Sequence, residues 1–328
     1  MTDRLKIILD VDTGADDALA ILLAARSPEV ELLGCTSVAG NVTVDQTTLN
    51  TLAVLEIAGR KEVPVARGAT HPLVRRLSTA TFFHGPKGLG SAEVPLPTGQ
   101  PLAQPAPAFL VEMANKYQSE LILVATGPLT NVALALLIDP DFGRKLKKLV
   151  IMGGAVRAPG NITPAAEANF YNDPEAAQAV LQSGAKITLV GLDVTDRTIL
   201  YWSEIAHLDE KPAELDPASR LALDILRFYT LTHGENGGAH LHDPLALGVA
   251  IWPDLVQTER MQVEVETAGK LTRGLSLGFN RKARDKFVDM GDYDDAVAVE
   301  FDYVANADVC LQVDAPRFIK VFRERLGL

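Results

Sequence analysis

Only two cysteines occur in 328 residues, Cys35 and Cys310, far apart and each inside an apolar stretch. They provide neither a disulfide framework nor a thiolate zinc site, and both are expected as reduced thiols in the core. Positive charge is also scarce: 31 Lys and Arg against 42 Asp and Glu leave a formal net charge of −11. Nucleic-acid binding needs clustered cations against phosphate, so nucleic acid is excluded as a partner and an acidic enzyme with a neutral small substrate is expected. No apolar run approaches the ~18 residues of a membrane span, so no membrane partner is expected. Residues 1–6 are short and polar, and Ile7-Ile8-Leu9 is cut off at once by Asp10; without a secretory leader, a cytoplasmic protein is expected. Linker-like shifts in composition, internal repeats and low-complexity tracts are missing as well, so residues 1–328 are expected to form a single domain.

What is present is a composition of 47% apolar and 22% charged residues, enough to bury a substantial core. Short runs rich in Val, Ile and Leu alternate with helix-period segments, the pattern of an α/β, Rossmann-like domain with a mostly parallel central sheet flanked by helices. Strands are predicted at 6–9, 30–38, 63–66, 121–125, 149–152 and 187–191, with helices at 17–26, 44–58, 107–116, 131–138 and 174–182. The last of these opens on Asp173-Pro174, an N-cap followed by proline in the first turn. Beyond about residue 193 the alternation fades into a smaller C-terminal helical and antiparallel part. Its helices are predicted at 218–232, 244–252 and 317–326, and its antiparallel strands around 261–267.

The central strands run out into polar or glycine-rich turns: Asp10-Val11-Asp12-Thr13-Gly14, Ala39-Gly40-Asn41, Thr126-Gly127-Pro128, Gly153-Gly154 and Asp193-Val194-Thr195. Open parallel sheets bind ligands at the carboxyl ends of their strands, so these turns are expected to line one crevice. Asp10, Asp12, Asp16 and Asp17 crowd four carboxylates into eight residues. Helix capping accounts for one or two of them; four would repel and raise one another's pKa values unless a cation compensates. With only oxygen ligands on offer the ion is a hard one, Ca²⁺ or Mg²⁺, and His242-Asp243-Pro244 can add a further carboxylate. The loop 160–169 carries Asn161, Glu167 and Asn169, side chains that suit sugar hydroxyls. The glycine-rich run from His84 to Gly90 suits a mobile lid. Phe170, Tyr171, Phe228, Tyr229, His233 and His240 could meet a nucleobase, but for each alone a core or surface role is the expected one.

Together these segments resemble the inosine-uridine-preferring nucleoside hydrolase family. The resemblance rests on DVDTGADDA (10–18), VAGN (38–41), FHG (83–85), ATGPLTN (125–131), IMGGA (151–155), GNITPAAEAN (160–169) with DPEAA (173–177), GLDVT (191–195) and HDPLA (242–246). It implies that Asp12, Asp17, the main-chain carbonyl of Thr126 and Asp243 bind Ca²⁺. It further implies that Asp16, Asn41, Asn161, Glu167 and Asn169 hold a ribose, that Met152 lies against the sugar, that His84 lies near ribose or base, and that His242 lies on the base side. A homo-oligomer, dimer or tetramer, is also implied. The chain departs from the family pattern at Thr13, where proline is usual, at Asp196, where histidine is frequent, and over 281–308, which has no clear counterpart.

The chemistry that follows is hydrolysis of the N-glycosidic bond of a ribonucleoside to free base and ribose. The cation holds the ribose diol and lowers the pKa of a water, Asp12 is the general base, and His242, whose side chain ordinarily titrates near neutrality, protonates the departing base. No organic cofactor is needed. Two other readings compete. Asp10-Val11-Asp12-Thr13 after a strand also resembles the nucleophile motif of haloacid-dehalogenase-type phosphatases, with Gly291-Asp292-Tyr293-Asp294-Asp295 as an approximate late metal motif. A non-catalytic nucleoside- or ribose-binding protein would use the same sugar-holding residues.

Overall fold

The computed structural model describes residues 4–232, 237–280 and 304–328. Its strands are β1 (Leu5–Val11), β2 (Val30–Ser37), β3 (Val65–Arg67), β4 (Leu121–Ala125), β5 (Lys148–Met152), β6 (Ile187–Val190), β7 (Ile199–Tyr201), β8 (Gly238–His240), β9 (Val256–Val265), β10 (Ser276–Phe279) and β11 (Ala307–Val313). Nine of them form one sheet in the order β10-β9-β11-β6-β5-β4-β1-β2-β3, and β7 and β8 pair separately. From β3 to β11 all neighbours are parallel; β9 runs antiparallel to both β11 and β10. The mostly parallel α/β sheet read from the sequence is therefore the architecture of the molecule.

The alternation of side chains along each strand builds two core layers. Ile7, Leu9 and Val11 of β1, Ile122 and Val124 of β4, and Val150 and Met152 of β5 join one layer. Ile8, Leu121, Leu123, Leu149 and Ile151 join the other. The first layer is closed by the helices Ala15–Arg26, Val44–Ile57, Pro217–Thr232, His242–Ile251 and Ala315–Leu326, the second by Ala106–Lys116, Thr130–Ile138 and Pro174–Leu181. Each such Ile, Leu or Val contributes about 1.5–3 kcal/mol by leaving water. Because both faces of the central strands are buried, those strands read as unbroken apolar runs.

The antiparallel strands expected in the C-terminal part are present, and they join the central sheet. β11 adds to β6 in parallel, pairing Ala307 with Ile187, and β9 pairs with β11, so the antiparallel strands extend the same sheet. Most of the extra segment 281–308 lies outside the described residues, but its end enters β11.

The order of the central strands positions the site. β1 has β2 on one side and β4 on the other, so successive crossovers leave in opposite directions and open the sheet at its carboxyl edge. Asp10 is level with Thr36 and with Ala125. The ladder continues past the strands: Val38 N donates to the Val11 carbonyl at 2.9 Å, and Thr126 N donates to that of Asp10 at 2.8 Å. Asp12, Ala39 to Asn41, and Thr126 therefore emerge side by side.

Candidate active site

The four clustered carboxylates of the first motif divide. Asp10 still belongs to β1 and shares the face of Ile8, so its side chain turns toward the Thr130–Ile138 layer. There its Oδ1 accepts from Thr36 Oγ1 at 2.6 Å and from Asn131 Nδ2 at 2.7 Å. Burial lifts its pKa to about 7 despite these bonds. Thr36 and Asn131 are site-supporting residues that the sequence did not single out, although Asn131 closes the ATGPLTN motif.

Asp16 and Asp17 lie in the first turn of the Ala15–Arg26 helix and meet Asp243 from the first turn of His242–Ile251. Each of the three offers a carboxylate oxygen within 4.8 Å of those of the other two, and all are buried. Asp16 Oδ1 is buried without a hydrogen-bond partner. Asp17 is the best held: its Oδ2 accepts from Gly14 N at 2.9 Å and Asn41 Nδ2 at 3.2 Å, and its Oδ1 from Thr126 Oγ1 at 2.8 Å. Asp12 is next to this trio, its Oδ2 accepting from Asn41 N at 2.7 Å.

Burial first, then the charge of neighbouring carboxylates, raises Asp12 and Asp243 well above the ordinary range and Asp16 to about 7. Burial also raises Asp17, against the hydrogen bonds that favour its charge. Uncompensated buried charges are costly, and an oxygen-only donor set matches a hard divalent cation. The residues present thus fit a metal, with Asp16 inside the trio as well as the expected ligands Asp17 and Asp243.

Two glycines permit this density. A Cβ on Gly40 would stand 2.0 Å from Asp12 Oδ2, and one on Gly14 would stand 2.6 Å from both Asn41 Nδ2 and His84 Nδ1. His84 is buried at the end of the short helix Thr81–His84; its Nδ1 accepts from Ala15 N at 3.2 Å and lies 3.9 Å from Asp16 Oδ1. Tyr229 packs edge-on to Phe83 at 5.0 Å and 6.0 Å from the His84 ring. Burial, then the charges of Asp16 and Asp243, push its hydroxyl well above its usual range.

The 160–169 loop is brought to the same edge. Asn169 Nδ2 donates to the Thr126 carbonyl at 2.6 Å and to that of Met152 at 3.2 Å, and lies 3.5 Å from the Met152 sulfur. Glu167 is buried, and its two oxygens accept from Asn169 N at 2.7 Å, Gly154 N at 2.9 Å and Phe170 N at 3.1 Å. It caps the helix Ala168–Asn172 and ties it to the end of β5. Asn161 is exposed, its Oδ1 accepting from Ala168 N at 3.0 Å. Asp193, which the sequence placed only in a strand-end turn, receives Val156 N, Arg157 N and Ala158 N at 2.9, 2.6 and 3.1 Å and so anchors the start of this loop.

His242 meets Thr195 Oγ1 through Nδ1 at 2.8 Å and lies parallel to His240, with ring centroids 5.5 Å apart. Its expected titration near neutrality is not met: burial first, then His240 and His84, lower it to about 3. Of the aromatic candidates, Phe170 is core, and His233 lies outside the described residues.

These features define an α/β protein with a buried oxygen-donor cluster that fits a metal at the carboxyl edge of a parallel sheet. Residues 7–320 match the inosine-uridine preferring nucleoside hydrolase family, and the chain belongs to it. It is 40% identical to a probable uridine nucleosidase 2 of Arabidopsis thaliana, over 99% of this chain and 98% of that one. It is 37% identical to a pyrimidine-specific ribonucleoside hydrolase, RihA, of Citrobacter koseri, over 98% of both. Among solved structures it superposes on a plant nucleoside hydrolase, PpNRh1, with a TM-score of 0.87 at 34% identity, and on a purine-preferring ribonucleoside hydrolase of Gardnerella vaginalis with 0.85 at 35%, each covering 98% of both chains. The protein is accordingly a nucleoside hydrolase, acting on N-glycosyl compounds, and the phosphatase reading falls away. The 291–295 motif it needed lies outside the described residues.

Proposed function

We propose that the chain hydrolyses ribonucleosides to free base and ribose with Ca²⁺ held by Asp12, Asp17, the Thr126 carbonyl and Asp243. The observation that carries this is the buried cluster of Asp16, Asp17 and Asp243, with Asp12 alongside, at the switch point of the sheet. When bound, the cation supplies positive charge that fastens a sugar diol and lowers the pKa of a water. The Thr126 carbonyl has a second lone pair beyond the one Asn169 uses, so it can serve as a ligand while holding Asn169.

Asp12 takes the proton of the attacking water. Asp16, Asn41, Asn161, Glu167 and Asn169 hold the ribose, with Met152 against the sugar and His84 at its edge. Glu167 and Asn169 are themselves fixed by backbone groups, so orientation is prepaid before the bond breaks. The departing base needs a proton or a strong hydrogen-bond donor at its nitrogen. His242 serves it from the ring nitrogen that Thr195 does not occupy, and the neutral ring acts as a donor. We read residues 1–328 as one domain, because N- and C-terminal strands share a sheet. On the family resemblance we read the protein as a cytoplasmic dimer or tetramer.

Incubation with uridine, inosine and a phosphate monoester, followed by assays for reducing sugar and inorganic phosphate, tests the reading. Reducing sugar from uridine or inosine and no phosphate is expected. Nucleosides left intact in the presence of Ca²⁺ would leave only a binding role.

A further inference from the structure

Among the described residues, a second group of metal-ligating side chains stands apart from the acidic trio. Asp196, His240 and His242 each offer a ligand atom within 4.8 Å of the other two, and all are half-buried. Three separate elements supply them. Asp196 ends the short helix after β6, His240 ends β8, and His242 opens the helix that follows. The β7–β8 pairing sets His240 opposite Ile199, and Leu241 N donates to the Thr198 carbonyl at 2.9 Å, so this stretch is bound back against the residues that follow Asp196.

Two features point to a ligand. His240 Nδ1 is buried and has no hydrogen-bond partner. Its neighbour Asp196 Oδ1 lies 4.0 Å away, beyond hydrogen-bond reach but close enough for one ion to touch both. The donor set also differs in kind from the acidic trio. Imidazole nitrogens suit zinc-like transition ions, whereas an oxygen-only site suits Ca²⁺ or Mg²⁺.

We propose that Asp196, His240 and His242 form a second metal site, selective for Zn²⁺ and similar transition ions, beside the carboxylate site. Two parallel rings do not aim their in-plane lone pairs at one point, so binding turns the His240 ring about χ2, a torsion with a broad and shallow profile. Two imidazoles and one carboxylate leave a coordination position for solvent, as in open zinc sites. Zinc held there occupies His242 and withholds it from the departing base, so it inhibits hydrolysis. That inhibition rests on the role given to His242 above; the binding itself does not.

The test uses Co²⁺, whose visible bands become intense in a four- or five-coordinate site of the kind zinc prefers, added to protein kept saturated with Ca²⁺. One Co²⁺ per chain with intense visible bands, displaced by Zn²⁺ without release of Ca²⁺, is expected. His240→Ala should abolish the bands and weaken Zn²⁺ by more than the roughly 10–100-fold typical of losing an outer partner of a metal site, with Ca²⁺ content unchanged. If that variant does not fold, as judged by its melt, Asp196→Ala is read in its place. Bands that survive in the folded variant, Zn²⁺ that binds only by expelling Ca²⁺, or no stoichiometric binding would each overturn the site. Because the spectrum needs no turnover, a failure of the nucleosidase reading would leave this result intact.

Discussion

His242 shows how far a side chain's type can mislead about its state. A histidine beside acidic residues looks like an acid working near neutrality, yet burial and two neighbouring imidazoles bring it down to about 3. It is therefore uncharged throughout the neutral range, and no loss of rate between about pH 6 and 8 should trace to its titration. Its contribution is separable by leaving group. A uracil or purine expelled without help carries negative charge, whereas p-nitrophenolate is stable as an anion. His242→Ala is expected to slow a natural nucleoside by roughly 10²–10³, the worth of one positioned donor to a developing anion, while p-nitrophenyl riboside is cleaved almost as before. Measuring kcat for both substrates on both proteins checks this, and equal losses would make His242 a pocket or metal-site support. Asp10 shows the converse limit. Its place in the motif was plain, but its turn away from the other carboxylates follows from the alternation of β1, and its partners Thr36 and Asn131 come from other elements.

At the scale of elements, the 160–169 loop is held at its two ends by two carboxylates. Asp193 receives three consecutive backbone N–H groups from residues 156–158, and Glu167 then ties the far end of the loop to Gly154. Removing a hydrogen-bond acceptor from buried donors costs about 1–3 kcal/mol. Asp193→Ala is thus expected to lower stability by that order and to raise KM for the nucleoside, while metal content stays that of the wild type. Thermal melts, kinetics and elemental analysis distinguish this from damage to the metal site, which would remove the ion; an unchanged KM would show that the loop is ordered by other contacts. Nothing local in GLDVT reveals this role, because the partners lie 35–37 residues away. The central strands and the helices between them were legible since burial on both faces makes continuous apolar runs. β11 was not: Asp308 and Gln312 interrupt its sequence, and its parallel partner β6 lies more than a hundred residues earlier.

For the whole molecule, the decisive quantity is the cost of gathering buried carboxylates at the switch point of the sheet. Asp10 and Asp16 move from 3.8 to about 7 on folding of the metal-free chain. The folded state then holds protons that the unfolded state has released. Their contribution is fully present below the unfolded pKa and is lost as pH rises from about 4 toward 7. A cation reverses the penalty, and because it binds the deprotonated carboxylates its affinity grows with pH. At a thousand-fold excess over Kd its linkage is worth about 4 kcal/mol, of order 8 °C at about 2 °C per kcal/mol for a large domain. Chelated protein should therefore melt below Ca²⁺-loaded protein by several degrees at about pH 8, and the gap should close toward about pH 5 as protons take the place of the ion. Melts of both forms at the two pH values, with metal removal confirmed, decide it. A gap that is absent, or that is as wide at the acidic end, would mean that the carboxylate cluster is not where the ion stabilises the fold.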